Sequence, residues 1–138
     1  HSAVLRRKDE IRLEPTLYCN TGNGYTEEER LYARNETPWP KVKVTFSLDK
    51  VGGDICGLRF DPCDRGLFVL KDLEIIAFFS DGREVRLSEK RWKHNGKGGK
   101  RDILFLSSDP WVDIKWKETE NPEKIQVRAT ASTRIEDL

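Results

Sequence analysis

Hydrophobic and polar residues alternate most regularly between residues 41 and 48. Four apolar side chains share one side of the extended chain there: Val42, Val44, Phe46 and Leu48. Lysine, threonine and serine side chains occupy the other side. This alternation predicts a β-strand with one face in a hydrophobic core and the other in solvent.

Short apolar runs separated by turn residues recur along the rest of the chain. They fall at residues 11–19, 31–33, 55–61, 67–70, 73–79, 84–87, 102–106, 111–116 and 124–130. No stretch has a convincing helical periodicity. The pattern therefore predicts an all-β fold, a two-sheet antiparallel β-sandwich that is jelly-roll or galactose-binding-like.

Two turn signals fix the middle of this strand order. Asp81-Gly82 separates two apolar runs and predicts a type I′ hairpin, because glycine adopts positive φ without steric cost. Pro62 has no N–H to donate to a neighbouring strand, so it should end the strand that contains Leu58 and Phe60.

The alternation also predicts which side chains form the core. The expected core residues are Val42, Val44, Phe46, Leu58, Phe60, Leu73, Ile75, Phe105, Ile114 and Val127, and Trp116 shares the face of Ile114. Ile75 and Ile76 point to opposite faces of one strand, so one of them should be less buried unless both faces are covered.

The length of 138 residues suits one domain with a core of its own. We expect residues 1–10 to be a tag remnant and flexible leading segment, residues 11–131 to be the sandwich, and residues 132–138 to be a tail leading to a neighbouring domain. No apolar run approaches the roughly 18 residues that a membrane span needs, and no signal peptide is expected.

The charge is nearly balanced, with 25 basic and 24 acidic residues and a net charge of +1. A nucleic-acid-binding domain usually has a basic excess, so no nucleic-acid partner is expected. Residues 88–101 are locally basic and predict a long, solvated loop that contains Trp92 and His94. The alternatives for this segment are binding of single-stranded nucleic acid, an anionic glycan, a phospholipid surface or a nucleotide diphosphate.

Three cysteines, Cys19, Cys56 and Cys63, lack the spacing of a zinc site and predict reduced thiols. The alternative is a Cys56–Cys63 bridge, which would have to span the turn at Asp61-Pro62. His94 is the one histidine outside the tag remnant, so no Ser-His-Asp or Cys-His set is expected and the protein is predicted not to be an enzyme. No cofactor is expected. The alternative is a structural Ca²⁺ ion held by oxygens of residues 20–29, although their spacing is not that of an EF-hand.

Two ordered motifs carry a resemblance to a known class of domain. They are YCNTGNGYTEEE at residues 18–29 and GLRFDP at residues 57–62, and Ser108-Asp109-Pro110 adds a later turn. Together they resemble the small β-sandwich accessory modules, carbohydrate-binding-like in character, that are attached to bacterial glycosyltransferases of surface-polysaccharide synthesis. Those modules carry a "TGxGFxEE"-like loop, and Tyr25 stands where phenylalanine is expected. The resemblance spans about residues 11–130.

The resemblance implies a non-catalytic carbohydrate-binding or accessory module of a bacterial glycosyltransferase or polysaccharide-assembly protein. Its expected partners are a glycan or a neighbouring glycosyltransferase domain. Its expected location is the bacterial cytoplasm, near the membrane if the parent protein is there. The alternative is a purely structural or protein-interaction sandwich that positions a neighbouring catalytic domain.

Exposed aromatic rings next to carboxylates and amides suit sugars, because a ring stacks on the C–H face while polar groups bond the hydroxyls. The candidate ligand-binding residues are Trp92, Trp39, Trp111, Tyr25, Arg59 and Asn23. Arg59 is expected to pair with Glu27, Glu28 or another loop carboxylate. The alternatives are that each tryptophan packs a loop onto the sandwich, and that Arg59 and Asp61 only fix the loop and the turn.

Overall fold

The computed structural model describes residues 13–64 and 66–134, which form two antiparallel β-sheets packed face to face. The strands are β1 Thr16–Asn20, β2 Arg30–Tyr32, β3 Lys41–Ser47, β4 Gly57–Asp61, β5 Phe68–Phe78, β6 Glu84–Arg86, β7 Trp92–His94, β8 Lys97–Gly98, β9 Ile103–Phe105, β10 Val112–Lys115 and β11 Lys124–Ser132. Among the described residues, the helical segments are two 3₁₀ turns, Glu27–Glu29 and Glu89–Arg91. None is long and apolar enough to cross a membrane.

One sheet has five strands in the order β2-β1-β4-β10-β7. The other has the order β3-β11-β5-β9-β8, with β6 paired to β5. The predicted all-β, two-sheet antiparallel sandwich is therefore confirmed, and its jelly-roll detail stays a prediction. The leading segment 1–10 and most of the tail, 135–138, lie outside the described residues.

The predicted core is confirmed, because all ten expected residues and Trp116 are buried. Phe46 and Phe60 come from different sheets and meet edge-to-face, with ring centroids 6.1 Å apart. Ile75 and Ile76 are both buried, so both faces of β5 are covered at that point. The interior between the sheets thus supplies the main stabilisation of the domain.

The thiols differ in their surroundings. Cys19 and Cys63 are buried, whereas Cys56 is exposed. Burial, followed by the nearby Glu29 carboxylate, raises the pKa of Cys19 to about 12. Cys19 therefore stays a protonated, unreactive thiol at neutral pH.

The hairpin at Asp81-Gly82 forms as predicted, but its turn is not type I′. Gly82 has φ 93°, whereas Asp81 is not in the positive-φ region that a type I′ turn requires of both central residues. Gly82 N donates to Phe79 O over 3.0 Å, and Phe79 N donates to Arg83 O over 2.9 Å. This is a three-residue loop with its glycine in the left-handed region.

The two strands predicted at 67–70 and 73–79 are one strand, β5. Arg128 pairs with Glu74 but Thr130 pairs with Lys71, so β5 contains one residue more than β11 in this interval. Asp72 has φ 55° at this β-bulge. The polar residues that interrupt the apolar run therefore mark a bulge rather than a turn.

The prediction of a long basic loop over residues 88–101 is wrong. The segment contains a 3₁₀ turn, β7 of the five-stranded sheet and β8 of the six-stranded sheet. Two of its cations bind backbone carbonyls: Lys100 Nζ donates to Trp92 O within the segment over 2.6 Å, and Arg101 Nε donates to Leu73 O of β5 over 3.0 Å. The segment connects the two sheets.

Candidate functional site

The loop after β1 folds back over the outer face of the five-stranded sheet. Asn20 Oδ1 accepts the N–H groups of Gly22 and Gly24 at 2.8 and 3.0 Å. Both glycines have positive φ, which residues with a Cβ rarely adopt. Thr21 Oγ1 donates to the Glu29 carboxylate over 2.6 Å and ties the two ends of the loop together.

Tyr25 is the loop residue that reaches the sheet. Its hydroxyl donates to Asp113 Oδ1 over 2.6 Å. A Cβ on Gly57 would lie only 2.9 Å from the Tyr25 hydroxyl, so glycine at this position leaves the room that the tyrosine occupies. Burial and the hydrogen bond to Asp113 raise the pKa of Tyr25, which keeps the hydroxyl protonated as a donor.

Five side chains form an alternating row on this face, which we call the tyrosine–arginine stack: Tyr32, Arg30, Tyr18, Arg59 and Tyr25. Strand register sets Tyr18 directly between Arg30 on β2 and Arg59 on β4. The Arg30 guanidinium lies 5.0 Å from the Tyr32 ring centre and 5.3 Å from that of Tyr18. The Arg59 guanidinium lies 4.7 Å from the Tyr18 ring and 5.6 Å from the Tyr25 ring. Each cation is thus in cation–π range of two rings.

Carboxylates hold both guanidinium groups in place. Arg30 Nη1 donates to Glu27 over 3.0 Å, and the Tyr18 hydroxyl donates to the same side chain over 3.2 Å. Arg59 makes two parallel hydrogen bonds to Asp61, both 2.9 Å long. The expected pairing of Arg59 with Glu27 or Glu28 is wrong, because residues two apart on β4 share a face and bring Asp61 closer.

The Arg59–Asp61 pair lies in partly buried surroundings. Burial raises the pKa of Asp61 above its ordinary value, although the Arg59 guanidinium acts to lower it. The hydrogen bond to Asp61 raises the pKa of Arg59. The Arg59 guanidinium therefore favours the ionised form of Asp61 and opposes the effect of burial on that carboxyl.

An open groove of about 700 Å³ runs beside the stack. Tyr32 lines it with 69% of its surface exposed, and Arg59, Asp61 and Asp109 also line it. The two sequence motifs and the later turn therefore meet here, since Tyr18, Asp61 and Asp109 come from residues 18–29, 57–62 and 108–110. The exposed ring can stack on a flat face of a ligand. The fixed cations and carboxylates beside it can hydrogen-bond to polar groups around the rim of that ligand.

The structure brings only part of the predicted site together. Tyr25 and Arg59 are neighbours in the stack, and exposed Asn23 lies on the loop that carries Tyr25. Trp111 is half-buried and directly precedes β10, two residues from Asp113.

Trp39 and Trp92 are not brought to the stack or the groove. Trp39 is half-buried against the core. The expectation of an exposed Trp92 is wrong, since the residue is 3% exposed. It lies opposite core residue Ile114 in the register, and its Nε1 donates to Lys100 O over 2.9 Å. Its ring has no free face for a sugar.

Arg59 is the one sequence-based candidate among the lining residues that the structure describes, and the residues that the candidates omit include Tyr18, Arg30, Tyr32 and Asp61. A signal for two of them existed in the alternation of β2, where Arg30 and Tyr32 flank Leu31 and must share a face. Their meeting with Tyr18 depends on strand register across a nine-residue loop, which local patterns do not fix.

Oxygens considered for a calcium ion serve the loop itself. Asn20 Oδ1 and Thr21 Oγ1 are both engaged in the hydrogen bonds that close it. Within residues 13–64 and 66–134, no three His, Cys, Asp or Glu side chains are grouped so that they could hold a metal ion.

In comparisons with known proteins, no family model, no curated protein and no solved structure matched this chain.

Proposed function

We propose that this domain is a non-catalytic carbohydrate-binding module whose glycan lies in the groove beside the tyrosine–arginine stack. The observation that carries the proposal is the exposed Tyr32 ring beside the Arg59–Asp61 pair in a groove of about 700 Å³. A pyranose has apolar C–H faces and a rim of hydroxyls. The ring supplies a stacking surface, and the charged pair supplies donors and acceptors at its edge.

The organisation of the stack also supports a binding role. The cation–π contacts and the two carboxylate pairs restrict side chains that would otherwise be mobile. Side chains that are ordered before binding lose less conformational entropy when the ligand arrives. A groove lined by both guanidinium and carboxylate groups suits hydroxyl-rich ligands, because hydroxyls both donate and accept hydrogen bonds.

We expect Tyr32→Ala to weaken glycan binding by about 1–3 kcal/mol, by analogy with stacking on other planar ligands, which is about 5- to 150-fold in Kd. The matched control is Tyr32→Phe, which keeps the ring and should bind within about threefold of wild type. A glycan array identifies the ligand, and isothermal titration of the best oligosaccharide measures each Kd. Equal binding by wild type and Tyr32→Ala, or no glycan bound at all, would refute the proposal.

The motif resemblance adds to this proposal the kind of protein to which the module belongs. The two motifs and the later turn converge on one groove, as expected if they specify a site rather than separate turns. On this basis the domain is an accessory module of a bacterial glycosyltransferase that assembles surface polysaccharide in the cytoplasm. Its glycan would then be the growing chain, and the module would hold that chain near the neighbouring catalytic domain.

The second candidate function is a protein-interaction or scaffolding domain. The observation in its favour is a pair of exposed leucines, Leu67 and Leu106, which flank the paired residues Phe68 and Phe105. Two side chains cover far less than the roughly 800 Å² per partner of a stable interface. The groove therefore carries the stronger argument.

A further inference from the structure

A second groove, of about 440 Å³, opens on the outer face of the six-stranded sheet, on the side of the sandwich opposite the tyrosine–arginine stack. Lys41 and Lys43 of β3 line it from one side. Arg128 and Thr130 of β11 form its floor, and Asp72 and Glu74 of β5 lie at the other side. None of these residues belongs to the proposed glycan site.

Three cations, Lys41, Lys43 and Arg128, line this groove together with two carboxylates, Asp72 and Glu74. Lys43 lies directly opposite Arg128 on the adjacent strand. Thr130 lies between Lys41 on β3 and Lys71 on β5, a lysine that is adjacent in the register but is not part of the groove lining. Like charges directly opposite each other destabilise a sheet, so this placement works against folding. A bound anion would attract the cations on both strands and so offset their mutual repulsion.

The carboxylate nearest to these cations in the register is already engaged. Glu74 lies opposite Arg128, but its carboxylate pairs with Arg86 over 2.9 Å. Within the described residues, none of Lys41, Lys43, Lys71 and Arg128 forms an ion pair. Arg128 Nε donates to Gln126 Oε1 over 2.6 Å, which restricts the guanidinium while its other N–H groups stay available.

The backbone at the rim of the groove is strained. Asp72 occupies the β-bulge of β5 with φ 55°, a conformation that non-glycine residues seldom adopt. Its N–H donates to Asp102 Oδ1 over 3.0 Å, which holds the bulge in place. Bulges and strained residues occur preferentially beside binding sites, where they redirect side chains.

We propose that this groove binds a tetrahedral oxyanion carried by a phosphorylated or sulfated ligand. Lys41, Lys43 and Arg128 supply positive charge from two adjacent strands, and Arg128 offers the planar donor pair that suits oxyanions. The Thr130 hydroxyl adds a neutral donor. The groove is separate from the glycan site, so the two proposals stand or fall independently.

Inorganic pyrophosphate is a direct probe, titrated into the intact domain and followed by two-dimensional amide NMR. We expect shifts confined to residues 41–43, 71–74 and 128–130. Arg128→Gln should raise the Kd about tenfold or more, because a charge-assisted hydrogen bond is lost. Glu74→Gln should lower the Kd, because a carboxylate beside the anion is removed.

Lys117→Gln is the matched control, since it removes the same charge from an exposed residue outside the groove. Its Kd should stay within about twofold of wild type. Competition by inorganic phosphate and by sulfate then identifies the source of the anion. Preference for phosphate assigns a phosphoryl group, and preference for sulfate assigns a sulfate ester. Absence of binding, or equal weakening by Arg128→Gln and Lys117→Gln, would show that no defined anion site exists.

Discussion

Phe60→Ala should lower the free energy of unfolding by about 3–5 kcal/mol, the range for truncating a buried phenylalanine. Phe60 lies on β4 of the five-stranded sheet and is 1% exposed. Its ring meets Phe46 of the six-stranded sheet, so truncation leaves a cavity where the two sheets pack. Domains are typically stable by about 5–15 kcal/mol, so the variant should be marginally folded.

Urea denaturation followed by tryptophan fluorescence measures this loss. Tyr32→Ala is the matched control, because it also removes an aromatic ring but from an exposed position, and it should change stability by about 0.5 kcal/mol or less. A loss below about 1 kcal/mol for Phe60→Ala would contradict the assignment of this ring to the core between the sheets.

Arg59→Ala should destabilise the domain by about 2–3 kcal/mol at neutral pH. The change leaves the Asp61 carboxylate without the guanidinium that holds it by two hydrogen bonds. The expected loss is below the roughly 3–5 kcal/mol of a fully buried pair, because the Arg59 side chain keeps 26% exposure and solvent screens part of the interaction. The stack also loses the cation between Tyr18 and Tyr25.

The destabilisation by Arg59→Ala should shrink in acid. Burial raises the pKa of Asp61 in the folded state, and loss of Arg59 raises it further. A carboxylate whose folded-state pKa is raised costs stability above that pKa, and the cost disappears as pH falls through it. Urea denaturation of wild type and variant at about pH 7 and about pH 4 measures this difference.

Asp61→Asn introduced together with Arg59→Ala provides the control for that experiment. In the double variant no carboxylate at position 61 is left without a cationic partner. The double variant should therefore recover part of the lost stability at neutral pH and show a weaker pH dependence than Arg59→Ala alone. A penalty that is equal at both pH values and unchanged by Asp61→Asn would show that Arg59 stabilises the domain only through packing.

Much of the fold follows from local sequence patterns. The alternation over residues 41–48 predicts β3 and its buried face, and Pro62 ends β4 at Asp61 as expected. The short strands β7 and β8 could not be predicted, because two or three residues within a charged segment show no period. The continuity of β5 was missed because a bulge and a turn have similar composition.

The candidate site was less predictable, because it depends on contacts between distant strands. Tyr25 and Arg59 were identified from motifs, and they do lie in one stack. The residues next to an aromatic ring in the sequence do not determine whether that ring is exposed. Charged residues surround Trp92 in the sequence, but the pairing of β7 with β10 places its side chain in the core. Tyr32 remains exposed on β2, at the edge of its sheet.

Amide and side-chain NMR of the domain, titrated with the best oligosaccharide from a glycan array, locates the ligand directly. Binding in the groove should shift the resonances of Tyr18, Arg30, Tyr32 and Arg59 and produce nuclear Overhauser contacts between sugar C–H protons and the Tyr32 ring. Signals from Trp92 and from the six-stranded sheet should stay in place. Shifts centred on any other surface, or a saturating ligand that leaves Tyr32 and Arg59 unperturbed, would contradict a carbohydrate site at the tyrosine–arginine stack.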